Sequence, residues 1–242
     1  MNRSFSLALA ATSLLAAWSA QALVIDGFNE HEMLLVANAP GSNLGIGEPV
    51  DDVIGGARKF NVTNVTGATA SRTAAALIDE IDDLTPGGSN LLSVSNADRV
   101  DSTVTVIWDG TTNDPFLVNT TGLGGVNLLA DNDTGFLFTI PTIDQNVELA
   151  LTIWDLDNNN HTYLYQFPAP IDRFFIPFAE FTGIDFENVG AIRLVLNGPV
   201  AWDGSVDLFE TGSPAPSPGT LLLLGAGLLA LVRRGKRSGS HR

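Results

Sequence analysis

Between residues 23 and 212, short runs rich in Val, Ile, Thr, Phe and Leu alternate with clusters of Gly, Asn, Asp and Pro. Residues 103–108, Thr-Val-Thr-Val-Ile-Trp, alternate polar and apolar side chains, as a half-buried strand must. Residues 147–154 do the same, with their apolar members at odd numbers. The polar stretch Asp155-Leu156-Asp157-Asn158-Asn159-Asn160 then predicts a hairpin turn into the run around Tyr163. The pattern predicts strands at 23–28, 33–37, 58–65, 90–95, 103–108, 126–130, 136–140, 147–154, 162–167, 173–177, 191–196 and 205–209. Helical periodicity is nearly absent: 74–81 fits a short helix or an edge strand, and 177–181 a single helical turn. Many short strands without a long helix predict an all-β fold, a two-sheet antiparallel β-sandwich of jelly-roll type. No repeat of blade length is present, which excludes a propeller.

The two ends break this pattern. Asn2 and Arg3 precede an apolar stretch over 7–18, followed by Ser19-Ala20-Gln21-Ala22. That order predicts a secretion leader over 1–22, cut after the small-residue site formed by Ala20 and Ala22, so that Leu23 begins the mature chain. A buried N-terminal helix is the competing reading. At the other end, 213–242 holds a proline-rich linker (Ser213-Pro214-Ala215-Pro216-Ser217-Pro218), an apolar run over 220–232 and the basic cluster Arg233, Arg234, Lys236 and Arg237. As a helix, such a run reaches about 20 Å, short of the roughly 30 Å hydrocarbon core of a bilayer. The cluster belongs on the cytoplasmic side, which puts the domain over 23–212 outside.

Linker, short hydrophobic helix and terminal arginines in this order resemble the PEP-CTERM sorting signal of Gram-negative bacteria, with Pro214-Ala215-Pro216 standing where that motif has Pro-Glu-Pro. The resemblance implies transient anchoring in the inner membrane, processing by an exosortase-type enzyme, and delivery to the envelope, surface or extracellular matrix. An ordinary tail anchor is the alternative. The body resembles galactose-binding and carbohydrate-binding jelly rolls through Val24-Ile25-Asp26-Gly27-Phe28, Asp52-Val53-Ile54-Gly55-Gly56-Ala57-Arg58, Gly122-Leu123-Gly124-Gly125-Val126-Asn127-Leu128 and Phe186-Glu187-Asn188-Val189-Gly190-Ala191-Ile192. This second likeness implies a structural calcium ion between the terminal strands, held by Asp26 and Asp207.

Charge narrows the partners. The chain carries 27 acidic and 12 basic residues, for a net charge of −15. All the acidic residues lie in 23–212, with only six basic ones: Arg58, Lys59, Arg72, Arg99, Arg173 and Arg193. Six against 27 leaves this body at −21. Such a surface repels phosphate backbones and disfavours nucleic acid. With no cysteine, disulfides and thiol chemistry are excluded.

Candidate chemistry is sparse. Tryptophan precedes aspartate at Trp108-Asp109, Trp154-Asp155 and Trp202-Asp203. An indole at a strand end can stack on a sugar ring while the carboxylate holds a hydroxyl; equally, it can be a core aromatic followed by a turn residue. Asp155, Asp157 and Asn159 have the spacing of a calcium loop, but Asn160 and Gln166 replace the glycine and glutamate that an EF-hand requires. His31 and His161 are the only histidines in the body, and no G-x-S-x-G or H-E-x-x-H occurs. The gly-rich pieces 41–47, 55–56 and 122–125 lack the P-loop lysine and read as loops. These features describe an exported, non-enzymatic envelope or matrix protein associated with polysaccharide. A secreted polysaccharide hydrolase using two carboxylates and a purely structural coat protein are the alternatives.

Both end signals are checked by intact-mass analysis of the protein recovered from its envelope fraction. The expected form begins at Leu23 and lacks Arg233 to Arg242; a form that retains the basic cluster contradicts processing.

Overall fold

The computed structural model describes residues 22–29, 31–79, 91–130 and 132–214. Two compact units divide the chain, Met1–Gly212 and Ser213–Arg242, and every described strand belongs to the first. Ala20, Ala215, Pro216, Arg233 and Arg234 lie outside the described residues.

In chain order the strands are β1 (Val24–Asp26), β2 (Met33–Ala37), β3 (Leu44–Pro49), β4 (Ala57–Thr66), β5 (Ala74–Asp79), β6 (Leu91–Asn96), β7 (Asp101–Trp108) and β8 (Gly135–Thr139). There follow β9 (Thr142–Ile143), β10 (Val147–Asp155), β11 (Asn160–Phe167), β12 (Arg173–Pro177), β13 (Val189–Asn197), β14 (Asp203–Val206) and β15 (Leu208–Gly212). All pairings are antiparallel. One layer of the sandwich is a six-stranded sheet of order β11-β10-β13-β7-β4-β3. Facing it are a four-stranded sheet, β1-β15-β8-β12, and a five-stranded one, β2-β5-β6-β14-β9.

The expected antiparallel β-sandwich is therefore present, but with three sheets rather than two. The reason is local. A ribbon of 135–143 against 203–212 pairs at both ends, Leu208 with Thr139 in one sheet and Ser205 with Thr142 in the other. Between them lie Ile140, Pro141 and Asp207. Proline has no amide to donate, so the ladder breaks there and the layer divides.

Other departures also have physical causes. Residues 74–79 form β5, which lies between β2 and β6 rather than at an edge. Residues 126–130 form no strand: only Val126 bridges, to Val189, and Asn127 turns the chain by accepting the Leu129 amide at 2.8 Å. Conversely, the glycine-rich 44–49 is a strand. A Cβ on Gly45 would lie 2.6 Å from Pro115 Cγ, and one on Gly47 2.7 Å from the Thr112 carbonyl oxygen. The glycines let a loop lie flat across β3. The turn expected near 177–181 appears as a 3-10 turn over Phe178–Glu180.

The core fills the space between the layers. Phe60, Val104, Val106, Leu149, Leu151, Ile153, Ile192 and Leu194 come from the six-stranded sheet, and Phe136, Phe138, Phe209, Leu92 and Val94 from the opposing layer. Trp108 meets Phe209 across the gap at a centroid distance of 5.3 Å, and Phe209 stacks on Phe138 at 4.3 Å.

Within this apolar interior sits one ionic cluster. Asp26, on β1, is fully buried. Its carboxylate accepts Arg58 Nε and Nη2, each at 2.6 Å, Trp108 Nε1 at 2.8 Å and the Phe28 amide at 2.7 Å. Arg58 and Trp108 lie on the neighbouring strands β4 and β7, so this carboxylate ties one layer to the other. Every acceptor direction is used, which offsets the desolvation of both charges.

Removing one partner leaves the other charge buried and unpaired. Asp26→Ala is expected to destabilise the domain by about 3–5 kcal/mol in denaturant unfolding, whereas Asp26→Leu combined with Arg58→Met recovers most of that loss.

Candidate functional site

The three Trp-Asp pairs are separated by the fold. Trp108 is fully buried with its indole N–H on Asp26, and Trp202 is 2% exposed in the core, packed so closely on Gly198 that a Cβ there would collide with its ring. Neither presents a face to a sugar, which corrects the expectation that they stack on ligand. Only Trp154 is half-buried on an outer surface. The reason is register. Trp108 is in the inward set of β7, while Trp154 belongs to the even-numbered, outward set of β10.

Two of the aspartates that follow, Asp109 and Asp155, tie loops, whereas Asp203 opens β14 with its side chain exposed. Asp109 Oδ2 accepts Lys59 Nζ at 2.7 Å and the Asn119 amide at 2.7 Å, and its Oδ1 accepts the Thr111 hydroxyl at 2.9 Å. Lys59 Nζ also donates to the Leu117 carbonyl at 2.8 Å, and Asn61 Nδ2 to that of Pro115 at 2.8 Å. These bonds fasten 110–119 over the outer side of β3, β4 and β7.

Asp155 caps the β10–β11 turn. Its carboxylate accepts the amides of Asp157 at 3.0 Å, Asn159 at 2.9 Å and Asp185 at 3.2 Å, together with Asn159 Nδ2 at 3.0 Å. The spaced polar residues thus make the hairpin expected of them. Burial opposes ionisation of Asp155, but the Asn159 side chain and the amides of Asp185, Asn159 and Asp157 outweigh it and hold the carboxyl below its ordinary 3.8.

The proposed calcium pair is corrected as well. Asp26 is the counter-ion of Arg58 and has no lone pair left for a cation. Asp207 is half-buried where β14 passes into β15, with its amide on the Thr139 carbonyl. Among the described residues, no group of three His, Asp or Glu side chains is arranged to hold a metal ion. His31 lies 4.0 Å from Glu48, and His161 packs edge-on against Phe181.

What remains open is the outer side of β10, β11 and β13. Pairing places Trp154 beside Asn160 and Ala191, Thr152 between Thr162 and Arg193, and Ala150 between Leu164 and Val195. The Arg193 guanidinium lies over the Trp154 indole, 5.1 Å from its centroid, and its Nη2 reaches the Thr152 hydroxyl at 3.4 Å. Among the described residues no carboxylate lies within ion-pair distance of Arg193, and burial pushes its pKa down. Leu164 is 63% exposed, and Thr162 and Gln166 are exposed beside it. One wall comes from 110–121, which reaches the β10–β11 turn where the Thr120 hydroxyl donates to Asn158 Oδ1 at 2.7 Å. The result is a mostly uncharged strip of sheet carrying an aromatic ring, the exposed Thr162 hydroxyl and a cation, with Thr152 buried beneath them. Arg193 was missed in the sequence because nothing around it distinguishes an outward strand position from any other.

No protein-family model matches the chain, and no curated protein does. Among solved structures it is similar to a family 11 carbohydrate-binding module from Clostridium thermocellum in complex with a beta-1,3-1,4-mixed-linked tetrasaccharide. Identity is 11% and the TM-score 0.37, over 79% of this chain and 95% of that one. It is also similar to TmCBM61 in complex with beta-1,4-galactotriose, at 11% identity and a TM-score of 0.30, over 63% of this chain and 86% of that one.

Asp155 generates an acid-stability prediction. Its lowered pKa means that its contribution is present above pH 3.8 and is lost as pH falls through the lower folded value. Asp155→Asn is expected to lower Tm at pH 7 and to flatten the fall in Tm between about pH 4 and pH 2. A variant whose acid limb parallels the parent's rules this role out.

Proposed function

We propose that this is an exported, non-enzymatic protein of the cell envelope or extracellular matrix that associates with polysaccharide through the outer side of β10, β11 and β13. The observation that carries the reading is Trp154 stacked beneath an Arg193 that has no carboxylate partner among the described residues. An indole supplies the flat apolar surface on which the C–H face of a sugar ring rests, and the guanidinium and the exposed Thr162 hydroxyl supply donors for its oxygens. The strip is open along the strands, which suits a chain ligand rather than a small enclosed one.

The non-enzymatic part is supported by the engagement of the buried aspartates, three by cations or several N–H donors and Asp133 by the Thr211 hydroxyl. Asp26 is held by Arg58, Asp109 by Lys59, and Asp155 by four N–H donors. A glycosidase needs one carboxyl free to protonate and another free to attack or activate water. Export, removal of the leader after Ala22, and sorting by an exosortase-type enzyme at Pro214-Ala215-Pro216 with transient inner-membrane anchoring rest on the patterns at the two ends of the sequence.

Binding is tested by isothermal titration and affinity electrophoresis with a panel of neutral and acidic polysaccharides. Trp154→Ala and Arg193→Ala are each expected to weaken association about tenfold or more, with the thermal unfolding of both variants close to that of the parent. If the unmodified protein binds none of the panel, the polysaccharide reading fails and a structural coat role takes its place.

A further inference from the structure

The first mature residue of the exported reading meets an unusual environment. The Leu23 nitrogen donates to Thr211 Oγ1 at 3.1 Å, and the Leu23 carbonyl accepts the Thr211 amide at 2.9 Å. Thr211 is fully buried, and its hydroxyl in turn donates to Asp133 Oδ2 through a short hydrogen bond. Asp133 is itself 7% exposed, and among the described residues no Lys or Arg lies within ion-pair distance of it. On the facing strand Glu210 pairs with Val24. Burial raises the pKa of Glu210; Arg173, on β12, opposes the rise and Asp133 adds to it. Glu210 shares the outward face of β15 with exposed Val24, whereas Asp133 lies on the inward side with Thr211 and, among the described residues, is buried without a cation. The other buried aspartates, Asp26, Asp109 and Asp155, have a cation or several N–H donors. Among the described residues, Asp133 has one hydroxyl.

We infer that Asp133 and Thr211 form a seat for the α-ammonium created at Leu23 when the leader is removed. The inference rests on cleavage after Ala22. In the precursor, the Leu23 nitrogen is a neutral amide and gives the seat one N–H. After cleavage it becomes an ammonium with three, adding a unit positive charge one hydroxyl away from the buried Asp133 carboxylate. The Thr211 hydroxyl accepts from it and passes its own proton towards Asp133, so the carboxylate is compensated through a relay of two hydrogen bonds. Processing then does more than release the protein. It adds the cation that the buried carboxylate lacks, and the folded domain becomes more stable once it is outside than it was with the leader attached.

The sign of the pH dependence follows. An α-amino group titrates near 8 in an unfolded chain, and a buried carboxylate beside it raises that value in the folded state. The stabilisation is therefore fully present below about pH 8 and is lost as pH rises through the raised folded value.

The test compares the chain from Leu23 to Arg242, bearing a free amine, with the same chain begun at Ala22 and with the Nα-acetylated form. The free Leu23 form is expected to unfold about 2–4 °C higher at pH 6, with the advantage vanishing at high pH. Asp133→Asn, which preserves shape, is expected to abolish most of the difference between the three forms. An NMR titration of the Leu23 amine gives a readout independent of stability and is expected to return a pKa above about 8. Equal midpoints together with an ordinary amine pKa overturn the seat while leaving export intact. N-terminal sequencing of the envelope-fraction protein separates the two: a start other than Leu23 overturns the cleavage reading, and the seat then has no natural occupant.

Discussion

The bond between Asp26 and Arg58 is the constraint around which the rest of this sandwich is arranged. β1 spans only Val24–Asp26, and its pairing with β15 is interrupted by a register shift between Val24 and Asp26. So short a strand offers little apolar area and few ladder bonds with which to hold the start of the domain. Asp26 compensates by reaching across the interior to Arg58 and Trp108, on two different strands of the opposite layer. The ion pair is geometrically demanding because each charge lost its water on burial. That demand sets the orientation of Trp108, and Trp108 in turn sets the packing of Phe209 and, through it, Phe138. Phe28 closes the cluster from the other side, with the Arg58 guanidinium 5.6 Å from its centroid.

Arg58 and Lys59 are consecutive in β4 and point to opposite faces, and each is neutralised by an aspartate on its own side. Arg58 with Asp26 joins the two layers. Lys59 with Asp109 fastens the 110–119 loop to the outside of the six-stranded sheet. The same strand thus organises both the core and the wall beside the open strip where Trp154 and Arg193 lie. The border of that strip is held by buried charge, and its far end is closed by the Asp155 turn.

The repeated Trp-Asp dipeptide shows how far a local pattern reaches. The aspartates behave as turn chemistry predicts: Asp109 and Asp155 both accept amides of residues that follow them. The tryptophans diverge, because a tryptophan at a strand end points inward or outward according to a register that the dipeptide does not contain. The same limit explains the glycine-rich segment 44–49 and the apolar segment 126–130, which exchanged roles. Gly45 and Gly47 are in a strand because a loop from elsewhere in the chain needs the space above them. Residues 126–130 have strand composition but follow Gly124 and Gly125 at positive φ, and Asn127 bends them away from any ladder.

Alternation of polar and apolar residues determined the all-β class, the positions of most strands and the hairpin at 155–160, because these depend on a period of two and on turn chemistry within a few residues. Composition likewise settled the absence of disulfides and the strongly negative body. Tertiary structure alone decided that Asp26 belongs to Arg58 rather than to a metal ion, that Trp154 is the outward member of its set, and that the second layer divides at Pro141. It also brought Asp133, Thr211 and the Leu23 nitrogen together from three distant parts of the chain. Each of these depends on which strands become neighbours across the sandwich, and that is settled by packing and by the pairing of buried charge, neither of which leaves a periodic trace in the sequence.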